Sequence, residues 1–275
     1  MLLFFVMCQN NNKEAKIEQV FPSDTIPMQF NHQLPRFCLP ILDGIVNDTL
    51  HFEVFLDTGT QGKNFYIPNS FKDLFDSDSA FIQIGRFKKR MGIHYWGSNQ
   101  QGIINIVGRN TIMVGWQFFE NTIIEFDFQN QHILVYDDLP DVTEYSKTNI
   151  TVSHHPALLI PAEVVIQGKK LQDTFNIDTG CNNYMVLSTR HIEEQVIDTT
   201  NALYNKSTVS GGSYPSFYIH ADSIKIGDLN VAKQFLPITF RNDKAKGLLG
   251  TRVMENFNVI LDLVNYDLYL KKIDS

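Results

Sequence analysis

Two aspartates in this chain stand in the same tripeptide and in the same setting. Asp57 opens Asp57-Thr58-Gly59 within VFLDTGTQG, and Asp178 opens Asp178-Thr179-Gly180 within FNIDTGCNN. Each triplet follows a short apolar run and precedes polar turn residues, so each reads as a strand running into a tight loop. A carboxylate takes a proton as a base and delivers one as an acid. Two of them, brought face to face on equivalent loops of two equivalent halves, would suit acid–base chemistry on a water molecule.

The elements that must position these loops repeat as well. A shift of 121 residues lays Asp57 on Asp178, Pro40 on Pro161 and Leu50 on Leu171, without a gap from Pro40 to Gly59. A shift of 135 lays VGWQFFENTIIEFDFQNQHILVY on LGTRVMENFNVILDLVNYDLYLK. It matches Gly115 with Gly250, Glu120 with Glu255, Asn121 with Asn256, Asp127 with Asp262 and Asn130 with Asn265. Both matches keep their order, and the second copy carries a longer middle. So long a period excludes a solenoid and suggests two lobes of one small domain each. The expected division is an N-terminal segment and linker at 1–34, a first lobe at 35–140, a polar connector at 141–155 and a second lobe at 156–271.

Short runs rich in Phe, Ile, Val, Tyr and Thr make both lobes β. NVILDLVNYDLYLKK reads as a hairpin turning near Asn265-Tyr266, and FDFQNQHILVY as its counterpart around Asn130-Gln131. Helix is sparse, with short candidates at 70–76, 188–195 and 251–256; Ser188 ahead of Glu193 and Glu194 suits a helix start. Asp127 and Asp262 lie inside the hairpins and read as structural.

The chain has 275 residues, 43% apolar and 19% charged, with a formal net charge of −7. That balance argues against a nucleic-acid surface, which is normally basic. The one basic run, Arg86-Phe87-Lys88-Lys89-Arg90, reads as a solvated strand or hairpin face. The three cysteines, Cys8, Cys38 and Cys181, have no metal-type spacing, and His154-His155 lacks the company of a metal site. No metal and no cofactor are expected. Cys181 reads as a small buried residue beside its loop. At the N-terminus, MLLFFVMC gives way to a polar stretch and resembles the tail of a bacterial lipoprotein signal, in which Cys8 would carry the lipid. The expectation is an exported, periplasmic or membrane-anchored lipoprotein. The alternative is a disordered apolar tip on a cytoplasmic protein. No run elsewhere is long enough to span a bilayer.

Taken together, an apolar run into Asp-Thr-Gly and later an apolar pair into Gly before a terminal hairpin, both present twice and in order, resemble the aspartic proteases of the pepsin and retropepsin type. The second lobe carries FNIDTG and then GLLGTRVMENFNVILDLVNYDLYL, and the first carries the weaker IMVGWQFFENTIIEFD. The resemblance covers most of residues 35–271, with proportions like two fused retropepsin-like units. It implies an all-β bilobal acid-protease fold and hydrolysis of peptide bonds by a shared-proton dyad of Asp57 and Asp178. It implies that Thr58 and Thr179 cross-link the two loops, that Gly59 and Gly180 let the backbone pass beside the carboxylates, and that Gly115 and Gly250 sit behind the loops. It also implies a β-hairpin flap over a peptide or protein substrate. The flap candidates are His94-Tyr95-Trp96-Gly97, with Tyr95 and Trp96 near the tip, and Ser210-Gly211-Gly212-Ser213-Tyr214, with Gly211, Gly212 and Tyr214. Two lobes in one chain remove the need for a dimer. The competing readings are a non-catalytic binding protein on the same scaffold, which would typically have lost one Asp or Gly, and a paired-carboxylate glycosidase, which would not call for symmetric Asp-Thr-Gly.

Overall fold

The chain is all-β, and the computed structural model describes residues 20–30, 39–60, 62–96, 108, 110–195, 197–209, 212–231, 236–241 and 246–273. The N-terminal half runs through β1 (Asp24–Phe30), β2 (Pro40–Val46), β3 (Leu50–Leu56), β4 (Asn64–Pro68), β5 (Ser79–Ile84), β6 (Phe87–Trp96), β7 (Thr111–Val114), β8 (Ile123–Asp127) and β9 (His132–Tyr136). The C-terminal half opens with β10 (Ser146–Asn149), β11 (Thr151–Val152), β12 (Leu158–Ile166), β13 (Lys169–Asp178) and β14 (Met185–Ser188). It continues through β15 (Leu203–Val209), β16 (Gly212–Ala221), β17 (Ser223–Ile226), β18 (Leu229–Val231), β19 (Leu236–Arg241), β20 (Gly247–Gly250), β21 (Phe257–Asp262) and β22 (Asp267–Lys272). The described helices are short: α1 (Thr189–Gln195), α2 (Thr251–Met254) and 3₁₀ turns at Asn69–Leu74 and Trp116–Phe119. None is long and apolar enough to cross a membrane.

In the N-terminal half, six strands close into a barrel in the order β2-β3-β7-β4-β6-β5, and β5 returns to β2 through Ile45 opposite Gln83 and Val46 opposite Ile82. Period-two alternation explains the filling. Phe52, Val54 and Leu56 of β3 join Leu42, Phe65, Ile67, Ile82, Ile112 and Val114 inside, and Phe55 faces the other way. The C-terminal half repeats the path as β12-β13-β20-β14-β19-β16. Here one bent segment serves both edges: β16 pairs with β19, and after Asp222 β17 pairs with β12. The Asp222 N–H donates to Val165 O at the bend.

The two sequence shifts reappear as strand register. Phe55 on β3 lies opposite Met113 on the parallel β7, and Asn176 on β13 lies opposite Leu248 on the parallel β20. The match of Pro40 with Pro161 does not survive. The residue facing Asn176 across the β12–β13 hairpin is Leu159, not the Ala162 that an ungapped shift requires. The second hairpin is longer and turns on Gln167-Gly168, both at positive φ, where the first uses the longer turn 47–49.

A six-strand stretch, β10-β22-β21-β8-β9-β1, joins the halves through the antiparallel pair β8–β21, and one apolar core runs through both. Two expected boundaries are corrected here. Residues 24–30, assigned to the N-terminal linker, form β1, because Ile26 and Met28 alternate with exposed Thr25, Pro27 and Gln29 and pack in the core. Residues 146–152, assigned to the connector, form β10 and β11, which pair with β22 and β12. Asp127 and Asp262 tie their hairpin turns alike, accepting from the backbone N–H and side-chain amide of Asn130 and of Asn265. The basic run lies on the β5–β6 hairpin and is paired outward, with Arg86 on Asp137 and Lys88 on Asp48. Cys8 lies outside the described residues.

Candidate active site

Asp57 ends the run of β3 and Asp178 ends β13, each where its strand meets the parallel partner from behind, β7 or β20. The Asp57 N–H donates to Val114 O at 2.9 Å. The chain must then turn sharply. In the first loop the Thr60 N–H closes on Asp57 O at 3.0 Å, and in the second the Cys181 N–H closes on Asp178 O at 3.1 Å.

The threonines lock the two loops together. The Thr58 N–H donates to Thr179 Oγ1 at 2.9 Å, and the Thr179 N–H donates to Thr58 Oγ1 at 3.0 Å. Each hydroxyl then donates across to the strand of the other half, Thr58 to Ile177 O at 2.8 Å and Thr179 to Leu56 O at 2.6 Å. Both threonines are fully buried. Four hydrogen bonds at a net contribution of about 1 kcal/mol each hold the loops in one relative position.

The glycines decide how close the carboxylates come. A Cβ on Gly59 would fall 2.5–2.8 Å from the carboxyl atoms of Asp178, and a Cβ on Gly180 would fall 2.6–2.7 Å from those of Asp57. Each half therefore vacates the space that the other half's acid occupies, so the two carboxyl groups come in beside the opposite loop's glycine. Gly115 and Gly250 stand behind the loops. A Cβ on Gly115 would meet Thr60 O at 2.6 Å, and one on Gly250 would run into Asn183 O.

Asp57 Oδ1 accepts from the Gly59 N–H at 2.8 Å and the Thr60 N–H at 3.1 Å, and its Oδ2 accepts from the Thr60 hydroxyl at 2.7 Å. Asp178 Oδ1 accepts from the Gly180 N–H at 2.9 Å. Burial pushes the Asp57 carboxyl above the ordinary range, opposed by the hydrogen bonds from Thr60, Asp178 and Gly59. Burial and then the Asp57 charge push the Tyr66 hydroxyl up as well. Thr60 and Tyr66 carried no signal in the sequence reading. Thr60 is legible in retrospect as the residue after the triplet, answered in the second loop by the buried Cys181. Tyr66 arrives through the pairing of β4 with β7, a long-range event.

The flap candidates separate. Tyr95 and Trp96 lie in β6, in parallel pairing with Ile67 and Pro68, and Gly97 lies outside the described residues. Trp96 is 2% exposed and packs with Leu39, Ile41, Phe55 and Met113. The aromatic pair before a glycine looked like a turn, but both residues lie in a paired strand, and Trp96 is buried in it. Residues 69–78, between β4 and β5, hold no strand, so no hairpin arm stands there. In the second half β15 and β16 do form such an arm, with Ser207 opposite Tyr214 and Val209 opposite Gly212. Ser210 and Gly211 lie outside the described residues. No group of three or more His, Cys, Asp and Glu among the described residues is arranged to hold a metal. The chain matches no protein-family model and no curated protein sequence.

Proposed function

We propose that this chain is an aspartic endopeptidase of the pepsin and retropepsin type, in which Asp57 and Asp178 share one proton and activate a water. The observation that carries the reading is the reciprocal clearance at Gly59 and Gly180, which leaves room for the two acids to touch. Two carboxylates in contact cannot both ionise cheaply, so the pair holds a single charge over a wide pH range, as is established for aspartic proteases as a class. The charged member takes a proton from water as the water oxygen attacks the carbonyl carbon of the peptide. The neutral member donates its proton to the carbonyl oxygen. The tetrahedral diol then collapses. The C–N bond breaks, the nitrogen leaves with a proton, and the products are a carboxylic acid and an amine. The pair titrates as a unit.

On this reading the two strand assemblies are the two lobes of one monomeric catalytic unit, and the substrate peptide lies between them. The β15–β16 arm is the flap, supplied by the second half, and it excludes water from the bound peptide. Export with lipid attachment at Cys8 remains part of the proposal. The test is cleavage of a mixed peptide library at pH 4–7 by the wild type and by the Asp57→Asn and Asp178→Asn variants. The wild type cleaves and both folded variants lose turnover by several orders of magnitude; cleavage retained in both refutes the dyad.

A further inference from the structure

One large side chain of the first half is stored at a cost. Trp96 is 2% exposed, and its indole Nε1 is buried with no hydrogen-bond acceptor among the described residues. A buried indole N–H ordinarily finds an acceptor, and Trp116 shows the ordinary case by donating to Pro156 O at 2.8 Å. A donor left unsatisfied away from water carries a penalty that an exposed indole would not. The contacts that oppose this penalty lie outside the main core. Trp96, Leu39, Ile41, Phe55 and Met113 form a small separate cluster, with Tyr66 packed against it. The backbone gives little extra hold, since Trp96 stands in β6 opposite Pro68, which brings no N–H to the ladder. This cluster borders the carboxylate pair. Phe55 stands two residues ahead of Asp57. Met113 Sδ lies 3.5 Å from the Thr60 hydroxyl, which itself donates to Asp57 Oδ2 at 2.7 Å.

We infer that Trp96 is an autoinhibitory stopper. In the resting chain the indole, together with Leu39, closes the ground ahead of Asp57. A polypeptide laid along the first half reaches the carboxylates only after the indole has swung out. Burial of a large apolar side chain favours the closed form and the unpaired N–H opposes it, so the two forms differ by little and a ligand can shift them. Opening hands the N–H to water or to a carbonyl of the incoming chain. It leaves the main core intact, since none of the five clustered side chains belongs to it. The inference rests on the peptidase reading for what the stopper restrains, whereas the movement itself is read by spectroscopy.

The experiment uses tryptophan emission and its quenching by acrylamide. The chain has two tryptophans, and Trp96→Ala leaves Trp116 as the background. The ligands are hexapeptides carrying Phe or Leu before a reduced methyleneamine bond, which replaces the scissile amide and resists hydrolysis. In the free wild type both indoles are buried and should emit at short wavelength and resist the quencher. On saturation with peptide the Trp96 emission should move to longer wavelength and become quenchable, while Trp116, seen alone in Trp96→Ala, should stay shielded. Trp96→Ala removes the closed form and should bind the same peptides about tenfold more tightly, the gain expected where the open form is about one tenth of the resting population. Where Trp96→Ala does not fold, Trp96→Phe supplies the background and the quenching decides. An indole that stays shielded in the saturated complex, a folded Trp96→Ala that binds no more tightly than the wild type, or no binding by either chain overturns the inference. Release of Trp96 without cleavage of the corresponding amide peptides upholds the stopper and removes the peptidase reading. Cleavage with Trp96 still shielded does the reverse.

Discussion

Adding one methyl group at Gly59 tests the geometry of the carboxylate pair directly. In Gly59→Ala the new Cβ falls 2.5–2.8 Å from the Asp178 carboxyl, where ordinary contact begins near 3.4 Å. The Gly59 backbone cannot retreat, because Thr58 beside it is bonded to Thr179 and Ile177. The Asp178 carboxyl must yield by roughly 1 Å, and a misplacement of that size at reacting groups costs on the order of 100-fold in rate. Overpacking of this kind also destabilises by about 1–3 kcal/mol, which leaves most of the molecules folded. Gly180→Ala repeats the experiment from the other side, displacing Asp57 instead. The assay is steady-state cleavage of the best library peptide by both variants, with circular dichroism melts to confirm folding. Both should lose kcat by about 100-fold with KM changed far less. Two folded variants that turn over at the wild-type rate would refute the reciprocal packing as the basis of the site.

Other outcomes follow from individual contacts. Thr58→Val removes a donor to Ile177 O and the acceptor of the Thr179 N–H, and leaves both buried, so urea denaturation should show a loss of about 2–4 kcal/mol; an unchanged midpoint would count against the loop lock. Thr60→Val removes the hydroxyl that holds Asp57 Oδ2 in its charged form, so the acidic limb of kcat/KM against pH should move to higher pH and return with Thr60→Ser; an immobile limb contradicts that role. Burial pushes the Asp173 carboxyl up, but His191, the Thr174 N–H, Lys246 and Arg190 prevail and hold it below its ordinary value. A depressed folded pKa gives stability that is present above the unfolded pKa of 3.8 and lost as pH falls through the folded one. Asp173→Asn should therefore melt lower than the wild type at pH 6, and the gap should narrow as pH falls below 3.8; a gap that stays constant excludes the linkage.

The two loops were legible because they depend on local chemistry that recurs. An apolar run into Asp-Thr-Gly fixes a strand and a turn wherever it occurs, and the later apolar pair into Gly115 or Gly250 fixes the strand that backs it. What escaped depends on partners far away in the chain. Trp96 reads as a turn residue until parallel pairing with Pro68 buries it. DTIPMQF reads as linker, since only its pairing with β9 and β2 gives Ile26 and Met28 a core to face. The Pro40 and Pro161 identity belongs to a register that the longer second hairpin does not keep.

The β8–β21 seam has a consequence for the life of the chain. Phe126 waits for Val259, so a nascent polypeptide carries an unmatched strand edge through the synthesis of almost the whole second half. Such contacts between remote segments slow folding and leave sticky intermediates in the meantime. Asp57 likewise waits for Asp178, which follows it only in the second half. On the proposed chemistry an incomplete or half-opened molecule holds a lone acid and is harmless, and hydrolytic competence arrives only when both halves are assembled.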